Sequence, residues 1–174
     1  MILQFGKQER RIPLLGRRLQ HDIKQGIYTE ITEGEVLYSG RGAAGGSLER
    51  NLPFELKIPN LGAGSLHVGL SGYVTIGDKS LNGGASPIMS SEPASLVVSA
   101  CGGSIVPDTA ADNPGELRVA TLGTSPSRIY VLQWKNFKGV GYDFVNNRMI
   151  LAGALNFQIR FHESSGIVEV VYGQ

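Results

Sequence analysis

Residues 127–135 set the strongest constraint on the fold. Ile129, Val131 and Gln133 fall on one side of an extended chain there, while Tyr130, Leu132 and Trp134 fall on the other. Side chains in a strand alternate with period two, so a run that is bulky on both sides needs cover on both faces and belongs in the middle of a sheet. Further on, Phe157, Ile159 and Phe161 alternate with Gln158, Arg160 and His162, the pattern of a sheet with one wet face. Helical periodicity is nearly absent. Its best stretch, residues 14–24, contains Gly16 and follows Pro13, and is read as turn or irregular.

Short apolar or β-branched runs separated by Gly, Pro, Asn and Ser clusters continue from residue 26 onward. They predict strands at residues 27–32, 35–39, 54–58, 65–77, 95–100, 116–122, 127–135, 155–161 and 167–172. Glu33 and Gly34 would join the first two, and HESSG would reverse the chain into the last. The run 65–77 reads as one long strand, with His67, Gly69, Ser71 and Tyr73 on one side and Val68, Leu70 and Val74 on the other, and Gly72 as the place for a bulge. SGRGAAGGS reads as a flexible loop, and residues 81–93 and 108–115 read as further loops. With no internal repeat, heptad or low-complexity linker, the expected organisation is a leader or edge segment over 1–25 and a single domain over 26–174. Its expected fold class is all-β: a two-sheet antiparallel β-sandwich, jelly-roll-like.

A chain of 174 residues with 41% apolar content can bury a core without staples, and its 24 glycines with only 18% charged residues suit turn-rich β structure. Cys101 is the only cysteine, which excludes an internal disulfide and any metal site of several thiolates. Flanked by Ala100 and Gly102, it reads as a small buried hydrophobe rather than a nucleophile. The net charge of +1 offers no field toward nucleic acid, and no basic stripe is interleaved with aromatics. The local excess of Lys7, Arg10, Arg11, Arg17, Arg18 and Lys24 reads as a solvated leader or edge strand, with contact to an anionic surface as the alternative. No apolar run reaches the length of a membrane span, and MILQFGKQERR lacks the apolar core of a secretory signal, so neither membrane insertion nor self-directed export is expected.

Motifs that could carry chemistry fail on context. Gly40, Gly42 and Gly45 spell GxGxxG, yet only Ser47 to Asn51 follows before Pro53, too short for the phosphate-binding helix, and no βαβ alternation exists. No bound cofactor is expected. Asp78, Asp108, Asp112 and Asp143 lie in expected loops where calcium could be ligated, but no EF-hand or repeat spacing links them, and ordinary turn aspartates are the favoured reading. Glu163 and Glu169 are separated by a turn, His21, His67 and His162 lack zinc spacing, and the serines at 90, 91, 95 and 99 lack a GxSxG elbow. No catalytic or metal residues are assigned. Tyr28, Tyr38, Tyr73, Tyr130, Tyr142, Tyr172 and Trp134 could form a sugar platform, but core packing is the favoured role.

GELRVATLGTSPSRIYVLQWKNF, followed by NFQIRFHESSGIVEVVYG, resembles the β-sandwich module of large secreted and cell-surface Bacteroidetes proteins, often beside fibronectin type III repeats and a C-terminal sorting domain. Gly123, Pro126, Arg128, Gln133, Trp134, Asn136, Asn156, Phe157, Gln158, Glu163, Ile167, Tyr172 and Gly173 carry the likeness. Upstream, LHVGLSGYVTIG, with Gly72 and Tyr73, matches a further strand signature in which Ser71 stands where Asn is common, and YTEITEGEVLYSG matches the opening. The strand signatures are also similar to those of nidogen-type extracellular domains. The chain departs from the pattern in lacking an export signal and the strand that usually follows the YG.

The resemblance implies the sandwich fold, a secreted or cell-surface location and no catalytic residues. Its signature positions look structural: Trp134 and Phe157 plugging the core, Gly72 relieving crowding, and Gln133 with Asn136 satisfying backbone groups at strand ends. The expected function is a non-catalytic module for adhesion, display or protein interaction, binding a protein or glycan through the loops at 40–51, 78–93, 108–114 and 139–147. The alternative is a carbohydrate-binding module accessory to a secreted enzyme, which exposure of Trp134 or clustering of Tyr73, Tyr130 and Tyr142 would favour.

Overall fold

The structure, a computed structural model, describes residues 27–40, 47–56, 65–76, 96–101, 104–110 and 112–173. They form an all-β architecture of two antiparallel sheets. The strands are β1 (Glu35–Ser39), β2 (Ser47–Asn51), β3 (Ser65–Gly69), β4 (Tyr73–Ile76), β5 (Leu96–Ser99), β6 (Ile105–Pro107), β7 (Glu116–Leu122), β8 (Ile129–Asp143), β9 (Arg148–His162) and β10 (Val168–Tyr172). The larger sheet has the order β1-β7-β8-β9-β10, with β6 also pairing β8, and the smaller has the order β2-β3-β4-β5.

The two sheets form a β-sandwich around one apolar cluster. Leu117, Val119, Tyr130, Leu132, Trp134, Phe137, Phe157, Ile159 and Phe161 come from the larger sheet, and Leu66, Val68, Val74 and Ile76 from the smaller. Period two produces this selection: Tyr130, Leu132 and Trp134 of β8 pair in register with Phe161, Ile159 and Phe157 of β9, so all six side chains share the inner face. Trp134 stacks on Phe157 at 5.0 Å between ring centroids. Offset stacking of this kind contributes about 1 kcal/mol beyond the area buried.

The outer face of the larger sheet differs from the sequence expectation. Residues 27–32 are not a strand, and Gln158 is buried rather than wet. Instead the segment runs across the strands. Arg160 donates to Ile27 O at 3.1 Å, Gln158 to Thr29 O at 2.7 Å, Gln133 to Ile31 O at 3.1 Å and Arg118 to Thr32 O at 2.9 Å, stepping from β9 through β8 to β7. Four of its carbonyls and the Ile31 N–H are bonded by side chains instead of a ladder, so the segment lies across the sheet without becoming a strand of it. The chain then enters β1, which pairs β7 rather than folding back as a hairpin through Glu33 and Gly34. Gly34 is held at φ 97, and a Cβ there would sit 2.2 Å from Val119 O, so the crossover passes at the closest possible approach.

Turns and short strands depart from the sequence pattern as well. The run 65–77 is a hairpin, β3 and β4, reversed at residues 70–72, where Gly72 N donates to Gly69 O at 3.1 Å. Its glycines hide the turn within an otherwise continuous β pattern. Ser47–Asn51, expected as loop, is β2, and the expected strand at 54–58 is not a strand over 54–56. Residues 57–58, 41–46, 78–93 and 1–25 lie outside the described residues. β7 and β10 fall where the apolar pattern placed them, and β6 was not foreseen. The largest difference is in β8 and β9, each 15 residues long, which extend through residues 139–147, expected as loop, and 148–154, which the strand pattern leaves unassigned.

Candidate functional site

The signature residues are spread through the framework and do not converge on a cleft. Gly72 takes φ 81, accepts a bond from Ala100 N at 2.9 Å, and leaves no room for a Cβ, which would lie 3.0 Å from both Ile105 Cδ1 and Phe157 Cζ. Tyr73 is buried with its ring over Gly69, and burial raises its hydroxyl pKa. Trp134 is fully enclosed, and its indole N–H has no hydrogen-bond partner among the described residues.

Gln133 lies mid-strand, not at a strand end. Its Oε1 accepts from Ile31 N at 2.9 Å and from Gln158 Nε2 at 2.7 Å, while Tyr28 OH approaches at 3.4 Å. Burial, with Glu30 nearby, pushes the Tyr28 hydroxyl up to about 12, so the ring stays a neutral donor. Asn136 sits at φ 56 where the β8–β9 register shifts. Asparagine tolerates this left-handed geometry better than most residues. Its N–H donates to Asn156 Oδ1 at 2.9 Å and its carbonyl accepts from Asp108 N at 2.9 Å. Gly173 donates to Asn156 O at 2.7 Å and lies beneath the Tyr28 ring.

Arg128 and Glu163 clamp the two turns at one end of the larger sheet. The guanidinium donates through Nε at 2.9 Å to one carboxylate oxygen and through a terminal nitrogen at 2.7 Å to the other, and the Arg128 backbone N–H adds a third bond at 3.0 Å. These bonds hold the Glu163 carboxyl at about 2. The same guanidinium lies 5.4 Å from the centroid of the Phe54 ring. Tyr172 OH donates to Ala100 O at 2.5 Å, tying the β10 edge to the end of β5 across the sandwich. On the opposite side, Arg50 of β2 meets Glu35 of β1 at 3.0 Å.

The loop carboxylates have partners of their own. Asp108 meets Lys138 at 2.9 Å and accepts from Ala110 N, and Asp143 accepts from Val145 N, Asn146 N and Asn146 Nδ2. Asp78 lies outside the described residues. Among the described residues no group of three His, Cys, Asp or Glu side chains is placed to hold a metal ion. The Cys101 thiol is pushed up by burial, which disfavours the thiolate a nucleophile needs. Trp134, Tyr73 and Tyr130 are all buried, so the aromatic platform does not form from them.

The feature that does reach outward is the distal half of the β8–β9 hairpin. Among the described residues β6 pairs β8 as far as Gly139, with one further bond from Val140 N to Ser104 O at 2.9 Å, and β10 pairs β9 between Phe157 and Phe161; beyond these points the two strands continue as a ribbon paired with each other. Register places Val140 and Tyr142 opposite Leu151 and Met149 on one face, and Gly139, Gly141 and Asp143 opposite Ala152, Ile150 and Arg148 on the other. Phe144 and Val145 at the tip are 87% and 92% exposed, and Met149 and Leu151 behind them 65% and 54%. Tyr142 and Phe144 contact edge to face at 5.0 Å, and Tyr142 OH donates to Asn147 Oδ1, which stiffens the tip. Apolar residues grouped on one projecting element mark contact surfaces. Residues 139–147 are one of the four contact loops expected from sequence; residues 148–154, the other half of the arm, carry no sequence expectation.

No curated protein and no solved structure matches this chain. The NIDO-related domain family matches residues 20–174. This span takes in all ten strands, the crossing segment, the framework residues and the projecting arm, and the chain belongs to the NIDO-related family.

Proposed function

We propose that this chain is a non-catalytic extracellular interaction module, secreted or displayed at a cell surface, whose contact element is the β8–β9 arm. The family points to an extracellular module. The observation that carries the choice of surface is the arm itself: Phe144, Val145, Met149 and Leu151 project into solvent from a ribbon rooted in the core by Trp134, Phe137 and Phe157. A rigid scaffold presenting a preorganised apolar tip loses little entropy on binding, which favours recognition of a protein partner. The reading needs no cofactor. It also accommodates adhesion or display within a larger secreted or surface protein, next to repeats of the fibronectin type III kind.

The test replaces residues 141–150 by an Asn-Gly turn that closes the hairpin at Val140 and Leu151. Native and shortened chains are compared for binding to intact cells and to immobilised extracellular proteins and glycans. The expected result is binding to protein surfaces that falls at least about tenfold on shortening, with the fold retained by Trp134 fluorescence. Undiminished binding by the shortened chain would move the contact surface elsewhere, and binding confined to glycans would favour an accessory carbohydrate-binding role.

A further inference from the structure

The arm has an open side as well as an apolar face. Residues 148–154 of β9 are all exposed, and their outward backbone groups have no strand partner among the described residues, since β10 begins its pairing only at Phe157. Unpaired edges of this kind are templates for adding a strand, and natural proteins usually blunt them with charge, proline or bulges. Here the only charged side chains between residues 139 and 155 are Asp143 and Arg148, which meet each other at 3.6 Å. The one irregularity is at Gly153, φ 73, where β9 carries one residue more than β8 between the pairs Gly139–Ala152 and Phe137–Leu155. It limits the open flat run to residues 148–152.

Resting on the reading of the arm as contact surface, we propose that its occupant is a second copy of this chain, joined by antiparallel pairing of the two β9 edges over residues 148–152. A strand edge laid antiparallel on its own copy satisfies two-fold symmetry directly, each residue meeting its symmetry mate's counterpart. Charge favours this occupant. The arm is internally neutral, so two copies approach without repulsion, whereas an anionic membrane would find only Arg148, already paired. Chemistry favours it as well. Met149, Ile150 and Leu151 of the edge itself are substantially exposed, and pairing centred on Ile150 would set them against their own copies, drawing six apolar side chains together along the seam.

The experiment is sedimentation velocity on the native chain and on the double variant Met149→Lys with Leu151→Lys, from micromolar to near-millimolar concentration, with amide hydrogen exchange of the native chain at both ends of that range. Both substitutions are on the exposed ribbon, outside the core cluster. The expected result is a concentration-dependent native dimer, slowed exchange at residues 148–152 at high concentration, and a variant whose dissociation constant rises at least about tenfold. A native chain that stays monomeric, or a dimer that leaves these amides unprotected, overturns the inference. So does a monomer that binds neutral phospholipid vesicles through the arm, which would assign the arm to lipid. A monomer whose binding to other extracellular proteins still depends on the arm sinks self-association alone and leaves the interaction reading standing.

Discussion

Gln158 Nε2 donates to Gln133 Oε1 at 2.7 Å, joining adjacent strands beneath a segment that crosses both. The pair supplies the ladder that residues 27–32 do not form: Gln133 exchanges two bonds with the Ile31 backbone, and Gln158 donates to Thr29 O. Both amides are fully buried, so each bond lost leaves an unsatisfied group in the interior. Gln133→Leu is expected to lower unfolding free energy by about 2–4 kcal/mol. Denaturant titration measures it, and amide exchange should quicken first at Ile31. Unchanged exchange there would show that the segment is held by other contacts.

The Arg128–Glu163 clamp makes stability depend on acid. Its hydrogen bonds hold the Glu163 carboxyl at about 2, against an ordinary value of 4.5. A carboxyl depressed on folding stabilises fully above its unfolded pKa, and that contribution is lost as pH falls from about 4.5 toward 2. Glu163→Gln should therefore melt lower than the native chain near neutrality, and the difference should shrink across that window. A constant difference from pH 6 to pH 2 would show that the carboxylate charge is not what matters.

Gly72 turns β3 into β4 at φ 81 with Ile105 and Phe157 closing over it. Gly72→Ala adds left-handed strain, about 1–2 kcal/mol, and forces two core side chains aside by a few tenths of an ångström. A loss of about 2–3 kcal/mol is expected, measured by thermal unfolding. No loss would mean that the turn relaxes to another geometry.

Trp134 is the sole tryptophan and has no exposed surface. Its emission should be blue-shifted and resistant to acrylamide in the folded chain, then shift red on unfolding. Trp134→Phe removes an indole N–H that has no partner among the described residues, so its expected cost is that of a cavity against Phe157, about 1–3 kcal/mol. Quenching of the native chain as efficient as that of free indole would contradict the packing described.

Tyr172 OH spans the sandwich to Ala100 O. Tyr172→Phe keeps the ring beside Phe157 and deletes that bond, with an expected cost of about 0.5–1.5 kcal/mol. Amide exchange along β10 should quicken relative to β8. Equal exchange before and after would show that the β9 ladder and ring packing hold the edge without this bond.

The sequence by itself determined the all-β class, the inner face of the larger sheet and several strand positions. Period-two alternation reports which side of a strand is apolar, and at Tyr130, Leu132, Trp134, Phe157, Ile159 and Phe161 that side is the core. Gln158 looks like a wet-face residue because alternation cannot tell a polar group facing water from one facing a crossing backbone. Only tertiary structure decides that, by placing residues more than a hundred positions apart in contact. The arm was half legible for a related reason. Met149, Ile150 and Leu151 have the composition of a buried strand, and their exposure follows from the length by which β8 and β9 outrun β6 and β10, a property of neighbours that local sequence does not encode.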